Sequence, residues 1–206
     1  MNKPSQKQIG IGVIGCGQFM SRQHIQTIAR SQRLILQNVA DINPVALQKV
    51  VDRYQPRRHG IRWQDVLEDP HIDVLVVGVL PELHPQIARA AIDRKLPVYV
   101  EKPLGSTVEE CRLLAMLSRT HAVPLAVGFN RRFATATPYL KEVIQTARMP
   151  ISLFYRLVDD GNIRPFEQRW KNSDRLLTET VHIFDYLSFL LESDPVEIYA
   201  REGRLN

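Results

Sequence analysis

Short apolar runs alternate with amphipathic segments along the first two thirds of the chain, a pattern that predicts strand–helix–strand units. Ile9 to Ile14 reads as a buried strand and Phe19 to Ala29 as the helix after it. Leu34 to Ala40 is the second strand, and Pro44 to Tyr54 the next helix, with proline in the first turn, where its missing N–H costs nothing. Gly60 to Trp63 is expected as a short third strand. Asp73 to Val79 is almost entirely Val and Leu, as in a strand covered on both faces. A helix from His84 to Asp93 leads to a strand at Val98 to Val100. Thr107 to Thr120 is a helix capped by Ser106 or Thr107, with Glu109 and Glu110 near its positive end. Leu125 to Gly128 closes the set.

The pattern then changes. Pro138 to Ala147 reads as a helix, Ile151 to Val158 as a strand and Asp159 to Asp174 as a polar loop. Leu176 to Leu191 is a helix and Val196 to Ala200 a last strand. The expected fold class is therefore α/β: a doubly wound parallel sheet over residues 1–133, followed by a short, incomplete α+β second domain over 134–206. Two strands and one or two helices bury little core alone. The second part must pack on the first, pair with another copy, or be a domain cut short.

Composition narrows the class only slightly. Hydrophobic residues make up 44% and charged residues 24%, ordinary for a globular protein. No apolar stretch is long enough to span a membrane, and the first eight residues lack the apolar core of a signal peptide, so a cytoplasmic location is expected. Cys16 and Cys111 cannot build a disulfide framework and lie in no metal-ligand spacing. Cys16 reads as a small packing residue. The net charge of +5 raises nucleic-acid binding. Its basic residues, Arg57-Arg58-His59 and Arg131-Arg132, are short and separate, with no interleaved aromatic residues, so that partner is not expected. A mild positive field suits an anionic cofactor or substrate instead.

Gly15-Cys16-Gly17 follows the first strand and opens a helix, the setting in which a glycine turn acts as a dinucleotide fingerprint. Gly15 permits the tight turn, and Gly17 lets the backbone approach a pyrophosphate at the helix N-terminus. Met20 stands where a third glycine is usual, so a bulky side chain must be accommodated where helix and strand meet. Asp41 closes the second strand, 24 positions after Gly17. A carboxylate there accepts from ribose hydroxyls and repels a 2′-phosphate, favouring NAD over NADP; otherwise it is a turn residue or the cap of the Pro44 helix.

Glu101-Lys102-Pro103 ends the run Pro97 to Val100, at the strand edge where open α/β sheets bind ligands. Pro103 biases Lys102 toward an extended backbone. His182 lies on a predicted helix with Glu179 at i−3 and Asp185 at i+3 on its face.

With these residues in place, the chain resembles the family of glucose-fructose oxidoreductase, inositol 2-dehydrogenase and the MocA proteins. The matching segments are Gly15-Cys16-Gly17 through His24, Ala40-Asp41, Leu80-Pro81 with His84, Glu101-Lys102-Pro103-Leu104, Val127 to Phe133, and His182-x-x-Asp185. The resemblance implies a Rossmann domain followed by a domain with an open, largely antiparallel sheet that supplies the substrate site. It implies a cofactor site from Gly15, Gly17, Gln18, Phe19, Asp41, Leu80, Pro81, His84, Glu101 and Lys102. Lys102 is the donor near the reacting oxygen, His182 the acid/base and Glu179 its orienting carboxylate. Asn130, Arg131 and Asp185 would meet substrate.

Family members usually extend well beyond the point matching Asn206, so the chain is expected to be truncated in its second domain. The glycine-rich stretch before the histidine helix is replaced by Asn172-Ser173-Asp174-Arg175, and Thr178 stands where an aspartate often precedes the histidine by four. The function expected is an NAD-dependent oxidoreductase acting on a sugar, cyclitol or related polyol, with no resident metal. The alternative is a truncated nucleotide-binding module without turnover. Exposed edges of a short second sheet would favour homo-oligomers.

Overall fold

The computed structural model describes residues 7–148, 150–156 and 179–201. It divides into two compact units, Met1–Gly128 and Phe129–Asn206.

The first unit is built on one parallel sheet of six strands. These are β1 (Ile9–Ile14), β2 (Leu34–Ala40), β3 (Arg58–Gly60), β4 (Val74–Val77), β5 (Val98–Val100) and β6 (Leu125–Val127). Their spatial order is β3-β2-β1-β4-β5-β6, so the winding direction reverses between β1 and β4. Parallel strands joined by helices must bury both faces, and alternate residues of one strand serve opposite sides. Val13 and Val39 join Ile25, Ile28, Leu47 and Val50 on one face. Leu75, Val77 and Val100 join Ile87, Ala88, Ala91, Ile92 and Leu114 on the other. This is the doubly wound architecture the sequence pattern predicts.

The helix starts are written locally. A helical stretch follows β1: α1 (Gln18–Met20), a π-helical turn at Ser21–Ile25, and α2 (Gln26–Arg30). Helix α3 (Pro44–Tyr54) is capped by Asn43, whose side chain accepts from the Val45 and Ala46 N–H groups. A short α4 (Trp63–Leu67) and α5 (His84–Asp93) follow. In α6 (Val108–His121), Thr107 and Glu110 form a reciprocal capping box, which settles the cap on Thr107.

One element is displaced from its expected position. The third strand is Arg58–Gly60, paired with Asn38–Ala40 of β2, and not Gly60 to Trp63. Val66 and Leu67 are buried by forming a helix with Trp63, so the residues after Gly60 turn away from the sheet.

The second unit contributes a 3-10 turn at Asn130–Phe133 and two helices, α7 (Thr137–Thr146) and α8 (Val181–Leu191). Thr137 is buried, and its hydroxyl donates to the Arg131 carbonyl at 2.9 Å and meets the Tyr186 hydroxyl at 3.0 Å, tying the turn to α8. No strand occurs among its described residues. Residues 151–156 and 196–200, expected as strands, run without secondary structure and without a sheet partner. Alternating side chains alone do not make a strand when no neighbour pairs with its backbone. Residues 157–178, which hold the expected polar loop and the first part of the expected last helix, lie outside the described residues. Among the described residues no helix is long and apolar enough to cross a membrane.

Candidate functional site

Parallel strands put all their C-terminal ends on one edge, and the reversal between β1 and β4 opens a crevice there. Gly15 leaves β1 at this edge, Asp41 leaves β2, Gly78 to Pro81 leave β4, and Glu101 and Lys102 leave β5.

The glycine turn follows from backbone geometry. Gly15 has φ of +102°, outside the range of ordinary L-residues, and a Cβ there would lie 2.1 Å from the Gly78 carbonyl oxygen. At Gly17, by contrast, nothing beyond its own chain neighbours and the adjoining helix backbone lies within 4 Å of the position a Cβ would take. The exposed Gly17 backbone therefore opens onto free space at the start of a helical stretch, the end of a helix whose unpaired N–H groups and dipole favour an anion. A dinucleotide pyrophosphate fits this cradle.

Met20 replaces a third glycine without loss of packing. It is 2% exposed and lies against Gly78 at the end of β4. Cys16 is buried too, and its thiol is pushed up to about 12, by burial first and by the Asp41 carboxylate second. It is a packing residue that stays protonated.

Asp41 takes the turn role weighed from the sequence. Its Oδ1 accepts from the Asn43 N–H at 2.7 Å, an Asx turn into α3, and its Oδ2 accepts from the Cys16 N–H at 2.6 Å. The helix cap itself is Asn43. Each carboxylate oxygen keeps a further lone pair. Gln18, Phe19 and Leu80 are exposed near the same edge, and Pro81 opens a 3-10 turn beside Leu80.

Glu101 is nearly buried, at 8% exposure. Its Oε1 accepts from His24 Nε2 at 2.7 Å and from the Tyr99 hydroxyl at 3.2 Å. Burial pushes the Glu101 carboxyl up, but the His24 ring, the Tyr99 hydroxyl and the Lys102 backbone N–H together hold it below its ordinary value. Burial, and then Glu101 itself, pushes the Tyr99 phenol up, so it stays a donor. Lys102 is half-buried and follows directly. His84, expected to touch the dinucleotide, is instead 1% exposed, and its Nδ1 donates to the Pro103 carbonyl at 2.7 Å. Burial holds its imidazole below the ordinary histidine value, favouring the neutral form. Its place is beneath the site, because α5 packs into the core.

In the second unit His182 lies in the first turn of α8, 7% exposed and edge-on to the Phe129 ring at 6.0 Å. Glu179, half-buried, stands just before that helix. Asp185, expected to meet substrate hydroxyls, is taken by Arg132, whose Nε and Nη2 both donate to its carboxylate. That pair holds the Arg132 guanidinium above its ordinary value. Arg131 donates to the Tyr155 hydroxyl at 2.6 Å, and Asn130 is exposed. Among the described residues no three His, Cys, Asp or Glu side chains gather as a metal site.

Sequence reasoning missed Gly78 and Tyr99 and gave His24 no role. Their signal is spatial: each matters only through a residue distant in the chain.

A reversed parallel sheet with a glycine cradle and an acidic second-strand end defines a dinucleotide-binding domain. The chain belongs to the oxidoreductase family with an NAD-binding Rossmann fold (GFO/IDH/MocA), whose model matches residues 9–129. It is 26% identical over 200 residues to the uncharacterized oxidoreductase YrbE of Bacillus subtilis, covering 97% of this chain and 58% of that protein. It is 27% identical over 203 residues to an inositol 2-dehydrogenase of Acidothermus cellulolyticus, again covering 97% and 58%. Among solved structures, scyllo-inositol dehydrogenase of Lactobacillus casei with bound NAD(H) and scyllo-inositol matches with a TM-score of 0.63 and 25% identity, over 68% of this chain and 41% of that one. The chain thus spans well under two thirds of the length of these relatives. Their dehydrogenase and oxidoreductase names lend nothing to the alternative of a binding module without turnover.

Proposed function

We propose that this chain carries the cofactor site and part of the substrate site of an NAD-dependent oxidoreductase acting on a sugar, cyclitol or related polyol. The observation that carries the reading is the open cradle over Gly17 on the sheet edge that also bears Asp41 and Lys102. The dehydrogenase names of the relatives support the polyol class.

Bound NAD supplies the hydride-accepting carbon. The chain's own residues do the rest. The turn from Gly15 to Phe19 holds the pyrophosphate by backbone N–H groups, and Asp41 accepts from the ribose hydroxyls and disfavours a 2′-phosphate. Lys102 donates to the reacting oxygen and stabilises its negative charge as the hydride leaves. His182 takes the hydroxyl proton, with Glu179 orienting the imidazole. Asn130 and Arg131 contact substrate hydroxyls; Asp185 acts through Arg132.

The test is titration of the purified chain with NAD and NADP, followed by absorbance at the reduced-nicotinamide band on a panel of inositols and sugars. Preferential NAD binding with reduction by at least one polyol is expected. No binding of either dinucleotide, or binding with no reduction across the panel, would overturn the reading. We also propose association between copies, supported by exposed apolar side chains of the second unit such as Phe133, Phe154 and Tyr199. A monomeric mass in sedimentation would contradict it.

A further inference from the structure

Lys102 sits between two anchored residues. On its N-terminal side, Glu101 donates its own N–H to the Val77 carbonyl at 2.8 Å and gives its carboxylate to His24 and Tyr99. His24 belongs to the π-helical turn that follows the glycine cradle, 77 positions away in sequence. Its ring is wedged between Phe19 and Tyr99, with centroids 5.7 and 5.2 Å away. The Glu101 carboxylate has room only because residue 128 is glycine: a Cβ there would lie 2.8 Å from Oε1.

On the C-terminal side, the buried Pro103 carbonyl accepts from His84 Nδ1 at 2.7 Å. His84 opens α5, and both Ile87 and Ala88 after it are wholly buried in the core. The residues on either side of Lys102 are therefore fastened to two different helices through two histidines, Glu101 by its carboxylate and Pro103 by its carbonyl. Both imidazoles are engaged: one is bound to a carboxylate, and the other is buried and bound to a carbonyl.

Resting on the reading of Lys102 as the donor to the reacting oxygen, we infer that His24 and His84 are positioning residues that fix the Lys102 backbone from both sides. His24 acts through the Glu101 carboxylate and ties the lysine to the helix of the dinucleotide cradle. His84 acts through the Pro103 carbonyl and ties it to the core. The ammonium group at the end of a long side chain then starts from a fixed base, and a displacement of about 1 Å at such a group costs up to roughly a hundredfold in rate.

The experiment compares His24→Ala, His84→Ala, His24→Gln, His84→Asn and Lys102→Met with the wild type. Each is read by NADH titration and by steady-state turnover of NAD on the best inositol or sugar of the panel. Gln places an amide N–H near His Nε2, and Asn near His Nδ1, so each keeps the required donor. Each alanine variant is expected to lose about ten- to a hundredfold in kcat with NADH affinity within about threefold of wild type. The amide variants should recover most of that loss, which removal of mere packing would not allow. Where an alanine variant does not fold, Glu101→Gln carries the His24 arm and should lower kcat in the same way.

Unchanged kcat in both alanine variants overturns the inference, as does a loss confined to NADH affinity or one that the amide variants fail to restore. The function reading fails separately: Lys102→Met would then turn over like the wild type, or the wild type would reduce NAD on no member of the panel. Either result also removes the inference that rests on it.

Discussion

Met20 and Gly78 share one space: a Cβ built on Gly78 would lie 2.1 Å from the Met20 sulfur and 2.5 Å from its Cγ. Close approach of helix and strand behind the cradle is usually obtained from a small residue on the helix. Here the helix carries the large side chain and the strand end carries none.

This exchange should be measurable in folding stability. Gly78→Ala is expected to cost about 1–3 kcal/mol by overpacking, and Met20→Ala about 2–5 kcal/mol by leaving a cavity. The double variant should cost clearly less than the sum, because the new methyl enters the space the sulfur has left. Urea unfolding of the four proteins checks this, and additive costs would show that the two residues do not compete for space.

Much of the first unit was legible. Pro44 marks a helix start, Ser106 or Thr107 with the acids that follow marks another, and the Val- and Leu-rich run at residues 74–77 reads as a buried strand. Arg58-His59-Gly60 was illegible as a strand because no apolar periodicity marks it; its pairing with β2 is supplied from outside. Gly15, Gly17 and Asp41 could be read from spacing. The bond from His24 to Glu101 could not, since nothing local links residues so far apart. In the second unit the alternation at 151–156 and 196–200 misled, because strand propensity needs a partner that the described residues do not provide.

The proposed ribose contact makes Asp41 the residue that sets cofactor choice. Its carboxylate is held by two backbone N–H groups, so Asp41→Asn keeps an acceptor for the turn while removing the charge. The ratio of NADP to NAD affinity is expected to rise by about tenfold, the order of one lost repulsive or charge-assisted contact. Calorimetric titration with both dinucleotides measures it. An unchanged ratio would mean that Asp41 serves only the turn.

Acid should weaken the first unit in two stages. His84 has a folded value below 6.5, so the unfolded chain takes up a proton first, and stability falls as pH drops below about 6.5 until the folded value is passed. Glu101 has a folded value below 4.5, so its stabilising contribution is complete above about 4.5 and is lost as pH falls through the folded value. Melting temperatures across pH for wild type, His84→Asn and Glu101→Gln separate the stages. The wild type's upper limb should flatten in the first variant and its lower limb in the second. Parallel curves for all three would contradict both assignments.

Ala122 ends α6 with φ of +52°, in the left-handed region. That conformation costs an alanine roughly 1–2 kcal/mol, while glycine forfeits about 0.4–1 kcal/mol through its freer unfolded state. Ala122→Gly is therefore expected to stabilise by up to about 1 kcal/mol in denaturant unfolding. A loss of stability would show that the Ala122 methyl contributes contacts that outweigh the backbone.

The function proposed for this chain rests on Lys102, at the end of β5, assisting hydride transfer to NAD bound at the glycine cradle. Its most direct test is single-turnover reduction of saturating NAD by an inositol, with wild type and Lys102→Met side by side. Equal NAD binding is expected in both proteins, with a rate lowered by about a hundredfold or more in the variant, the scale of losing one donor at a developing oxyanion. Equal rates in the two proteins would contradict it.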